Sequence, residues 1–156
     1  MNATAVPPHT SSRVRDDEPP QPTSLRTLSL WGVFVGVLYA AAPLGFWWLD
    51  AATVYAMGLA AIAFVYVGLA VADGRSTVIA VEVVVATGFI VTAAITVTGS
   101  PWLAVIGLAA HGLKDLWQHR RHFVANTRWW PPFCVVVDWV AAVIIAIALI
   151  AGTNLH

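Results

Sequence analysis

Ionisable residues recur at helical spacing in the stretch HGLKDLWQHRRH: His111, Asp115 and His119 stand four apart, and His122 follows three later. Imidazole and carboxylate groups on successive turns are ligands suited to zinc or non-haem iron. A divalent metal held by His111, Asp115, His119 and His122 is therefore the expected cofactor. Glu82 and Asp138, from other parts of the chain, are the expected catalytic acids: either closes the ligand set, or acts as a general base on a metal-bound water. The spacing lacks the HExxH signature of zinc proteases, and the single cysteine, Cys134, excludes a multi-cysteine zinc site and an internal disulfide.

Simpler roles compete at every position. His111 and Asp115, one turn apart, could do no more than lock their helix. Glu82 and Asp138 could be structural acids, protonated or paired with Lys114. His119 to His122 reads equally as a basic run against anionic lipid head groups. Trp129-Trp130-Pro131-Pro132 suits an interfacial anchor and a helix start. Cys134 suits packing better than nucleophilic chemistry.

The elements that must position these groups are apolar to an unusual degree. The chain has 156 residues, 59% hydrophobic and 10% charged, with mean hydropathy +0.77. A soluble domain carries about a quarter charged residues, so the expected solvent is lipid. The fold class that follows is an all-α, polytopic integral membrane helix bundle with five transmembrane helices, the N-terminus cytoplasmic and the C-terminus external. Residues 1–24 hold five of the nine prolines and few large apolar residues, and read as a disordered cytoplasmic tail. Residues 25–156 form the bundle, with spans at about 28–49, 52–72, 77–98, 101–119 and 132–152. Each is close to the ~20 residues that cross a bilayer. Arg26, the run from Leu28 to Tyr39 and Ala40-Ala41-Ala42 imitate a cleaved signal peptide. The apolar stretch continues to Leu49, however, and is read as a retained span.

Local signals mark the joints. Gly32, Gly36 and Ala40 make a smooth strip for close helix approach, and Trp47 and Trp48 suit an interfacial aromatic belt beside Asp50. Asp73-Gly74-Arg75 reads as a turn. In Gly99-Ser100-Pro101, Ser100 is expected to cap and Pro101 to open the next helix.

Five spans alternate the loops between two sides, and all eight Lys and Arg residues fall on one of them. The positive-inside bias makes that side cytoplasmic. Depth then follows from sequence position. Glu82 lies roughly 8 Å and Asp138 roughly 9 Å inside their spans at 1.5 Å per residue. His111 and Asp115 approach the same end from the opposite direction. On span four, Gly107, His111, Asp115, Gln118 and His122 share one face, and Cys134 and Asp138 share one on span five. Ionisable groups inside a bilayer must turn inwards and find partners.

The expected function is thus a small, multi-pass cell-membrane protein with a polar site at the cytoplasmic mouth of its bundle, a metal-dependent enzyme acting on a lipid-like substrate. The alternative is a non-enzymatic module: a proton- or ion-coupled transporter subunit, or a structural assembly partner. The expected partners are the lipid bilayer, a lipid-like substrate and a second copy in a homo-oligomer. Transport is weakened by the lack of an internal inverted repeat. Nucleic-acid binding has no support, because the basic residues are few and membrane-adjacent.

Overall fold

The computed structural model describes residues 25–124 and 129–153. The tail at 1–24, Arg128 and the C-terminal residues from Asn154 lie outside them. Among the described residues every regular element is helical: α1 (Leu25–Ala40), α2 (Ala42–Gly45), α3 (Ala51–Asp73), α4 (Ser76–Thr98), α5 (Trp102–Arg121) and α6 (Trp130–Ile150). Three of them, α3, α4 and α6, are long and apolar enough to cross a membrane. α1 is apolar but shorter. α5 has the length, with 20 residues, but its C-terminal half holds Lys114, Asp115, Gln118, His119, Arg120 and Arg121.

The first apolar run departs from the expected uninterrupted helix over 28–49. α1 stops at Ala40, a separate turn of helix follows at Ala42–Gly45, and Phe46 to Leu49 are non-helical. Pro43 is the physical cause, since it has no N–H to donate and its ring obstructs the carbonyl four residues back. Asp50 then opens α3, its carboxylate accepting from the Thr53 backbone N–H at 2.8 Å and the Thr53 hydroxyl at 2.7 Å. Ser100 does not cap α5. It contributes its backbone carbonyl to Leu103 N–H at 2.9 Å, and Pro101 occupies the cap position.

The turn at residues 73–75 forms as the sequence suggests. Gly74 closes α3 at φ 80°, a left-handed conformation that favours glycine. Arg75 grips Asp73 through two nitrogens at 2.6 and 2.9 Å, and donates to the Phe123 carbonyl at 2.7 Å. That last bond ties the α3–α4 turn to the segment leaving α5. Val124 and Phe123 pack there with Ala70, Val78, Leu69 and Ile79.

The helices close into a bundle in which α6 lies between α1 and α5, and α4 between α3 and α5. Small residues set the closest approaches. A Cβ at Gly32 would stand 2.8 Å from Val136, and one at Gly36 2.9 Å from the Val137 carbonyl, so the expected strip is used by α6 of the same chain. These pairs run in the same sequence order, which makes α1 and α6 parallel. Gly107 faces Leu59 of α3, and Gly112 faces Trp139 and Asp138 of α6. Tyr39 and Tyr55 bind α1 to α3 reciprocally, each hydroxyl donating to a backbone carbonyl of the other helix at 2.7 Å.

The core divides along the bundle axis. Near the Asp50 end it is apolar, built from Tyr55, Ala56, Leu59, Ala93, Ala104, Leu108, Ala142 and Ile145. Towards the α3–α4 turn the buried residues become Glu82, His111, Asp115, Gln118 and Asp138. Arg26, Arg75, Arg120 and Arg121 stand at that same end, through the parallel α1–α6 pairing and the Arg75–Phe123 bond.

Candidate metal centre

α5 delivers two donors to the interior from one face. Gly107, His111, Asp115 and Gln118 are all buried, as their spacing requires of a helix whose polar stripe turns away from the outside. α6 brings Asp138 opposite them. Gly112 permits this, because it leaves room for the Asp138 and Trp139 side chains against the α5 backbone. Trp139 donates its indole N–H to the Ala109 carbonyl at 3.3 Å, fixing the register of the two helices.

The result is a compact trio. Nδ1 of His111 lies 2.8 Å from Oδ2 of Asp138 and 3.5 Å from Oδ2 of Asp115. One donor atom from each of the three residues lies within 4.8 Å of the other two, and all three residues are 0% exposed. Ligand atoms 2.0–2.2 Å from a tetrahedral ion are about 3.4 Å apart, so the trio needs only small adjustment to enclose one. Part of its hydrogen-bonding capacity is also unfilled: among the described residues, His111 Nε2 and Oδ1 of Asp138 are buried without a hydrogen-bond partner, whereas Asp115 has the Tyr66 hydroxyl beside it. Buried donors and acceptors are nearly always paired. A donor set of one imidazole and two carboxylates with open valences is what a divalent cation such as zinc or iron would take up.

Aromatic rings wall the imidazole in. Tyr66 of α3 and Phe89 of α4 meet it edge-on, with centroids at 5.2 and 4.9 Å. Cys134, buried one turn before Asp138, completes the α6 side.

A second buried cluster adjoins the first. Glu82 of α4 forms an ion pair with Lys114 at 2.9 Å and accepts a short hydrogen bond from the Gln118 side-chain amide. The Lys114 ammonium sits 3.5 Å above the Tyr66 ring, a cation–π contact. Tyr66 therefore touches both clusters, with Lys114 over its face and His111 in a T-shaped ring contact.

The expected site residues separate accordingly. His111 and Asp115 come together, and Asp138, expected as a catalytic acid, stands among the potential ligands instead. Glu82 reaches the same half of the bundle but engages Lys114 and Gln118. His119 and His122 are not in the trio. His119 is half-buried, one helical step away from the inward stripe, whereas His122 is exposed and ends α5 in the left-handed conformation at φ 49°. Once the helix stops, four-residue spacing no longer aims a side chain at the interior.

No family model, curated protein or solved structure matches the chain. The chemistry of the site is thus read from its own geometry. Tyr66, Phe89 and Gly112 escaped the sequence reading because each looks ordinary in its helix. A tyrosine deep in an otherwise apolar run was the one available signal among them.

Proposed function

We propose that the chain is a five-span integral membrane protein that holds a divalent metal ion between His111, Asp115 and Asp138, as the centre of a metal-dependent enzyme acting on a lipid-like substrate. The observation that carries this reading is the convergence of three fully buried donors, from two helices, with hydrogen-bonding valences left open. Zinc or iron bound there would act as a Lewis acid on a substrate oxygen or lower the pKa of a bound water. The protein contributes a dry, ring-walled cage. Glu82 is the proposed proton acceptor, a buried acid of this half that stands outside the trio and borders the groove between α4 and α5.

α1 with the residues after it, α3, α4, α5 and α6 are the five proposed spans. The basic residues cluster at the end that carries the polar core, which by the positive-inside bias is cytoplasmic, leaving the C-terminus external. A transporter is less well supported, because among the described residues the core near the Asp50 end holds no buried ionisable carboxylate, imidazole or amine around Leu59 and Leu108.

Elemental analysis of detergent-purified protein tests the metal assignment. Zinc or iron is expected in the wild type and at background in His111→Ala and Asp138→Asn. Folded wild-type protein as metal-free as both variants would remove the assignment. A periplasmic reporter fused after His156 should be active, and one placed in the 119–130 loop inactive; the reverse pattern would invert the topology.

A further inference from the structure

The outward face of α5 carries two hollows distinct from the buried trio. One, of about 490 Å³, lies between α4 and α5, with walls of Val81, Val85 and Phe89 on one side and Ala110, Leu113 and Trp117 on the other. Glu82 and Lys114 form its base. The second, of about 390 Å³, follows α5 towards its C-terminus past Leu113, Leu116 and Trp117 to Arg120 and Arg121. Leu113 and Trp117 line both, so the hollows adjoin in a trough whose walls are mostly apolar, with Glu82 and Lys114 in the first hollow and Arg120 and Arg121 in the second.

Its charge is one-sided. The acid at its base, Glu82, is already paired with Lys114 at 2.9 Å. Arg120 and Arg121 are exposed, and among the described residues neither has an ion-pair partner. From Leu113 to Arg120 the helix rises roughly 10 Å, so the apolar stretch and the basic pair lie within the reach of one lipid. The exposed indole of Trp117 lies between them, a side chain suited to that boundary.

We infer that this trough binds an anionic phospholipid, one acyl chain lying between α4 and α5 and the phosphate held by Arg120 and Arg121. The inference rests on the membrane reading above and names the substrate class for which the proposed enzyme is built; it does not depend on the metal. A basic pair at the end of a span attracts acidic head groups, and the guanidinium fork matches phosphate oxygens. The adjoining groove adds selectivity for a lipid over a soluble phosphate.

The test titrates detergent-purified, full-length protein with phosphatidylglycerol and, separately, with phosphatidylcholine of the same acyl chains, and counts retained lipid by native mass spectrometry. Wild type should retain phosphatidylglycerol at least about fivefold better, about 1 kcal/mol of preference. R120Q/R121Q should lose that preference. Ala110→Trp, which fills the groove from an exposed position, should reduce retention of both lipids. Equal retention of the two lipids by wild type overturns the inference, as does either variant behaving like wild type. Metal content is measured on the same samples. Lipid preference without metal sinks the metal centre alone, and metal without lipid preference sinks the trough alone.

Discussion

The two halves of the bundle are built from the same helices and handle polar atoms in opposite ways. Near the Asp50 end, the Tyr39 and Tyr55 hydroxyls donate to backbone carbonyls across the α1–α3 interface, and the buried Thr96 hydroxyl donates to the Thr92 carbonyl at 2.9 Å. Near the α3–α4 turn, His111, Asp138 and Gln118 each leave one buried polar atom without a hydrogen-bond partner among the described residues. In lipid such atoms are costly, because no water can satisfy them. The first half pairs its buried hydroxyls with backbone carbonyls. The second gathers ionisable side chains against one another, and that difference marks the candidate site.

The comparison can be broken most severely at Lys114. Replacing it with Met leaves Glu82 buried without its cation, and removing one partner of a buried ion pair costs about 3–5 kcal/mol. Thermal unfolding in detergent should register the loss, and K114M/E82Q should recover much of it; equal destabilisation of single and double variants would mean that the pair is not coupled. Leu59→Ala strikes the apolar half, where a fully buried leucine contacts the Gly107 face of α5. A cavity there should cost about 2–5 kcal/mol without changing metal content. A Leu59→Ala protein that unfolds normally but loses its metal would merge the two halves that the structure separates. The smallest effect is expected from His119→Ala and His122→Ala, whose side chains lie outside the trio. Each should shift stability by no more than about 0.5 kcal/mol and leave metal content unchanged, so metal lost in either would restore the four-ligand motif along α5.

Much of this architecture is legible in the residues. The apolar runs after Asp50 each form one long helix, because their length and lack of twofold alternation admit little else. The shared depth of Glu82, His111, Asp115 and Asp138 also follows from alternating helix directions. The break at Pro43 sits inside an apolar run that continues to Leu49, so hydropathy alone gives a span of 28–49 where α1 ends at Ala40. The partition of the site was not legible. Whether Asp138 faces His111 or Lys114 depends on the α5–α6 register, which Gly112 and Trp139 set through contacts that no periodicity encodes. His119 lies within α5 but off its inward stripe, and His122 falls beyond the helix end at Arg121, so four-residue spacing brings neither to the trio.

Cobalt(II) binding tests the central claim most directly, since its visible absorption reports both occupancy and ligand geometry. Metal-stripped wild type in detergent should develop visible bands that saturate, weaken at lower pH as protons compete for the ligands, and are displaced by zinc. His111→Ala and Asp138→Asn should lack them, while His119→Ala should match wild type. Folded wild type that binds no cobalt, or bands of equal strength in the His111 and Asp138 variants, would contradict the account.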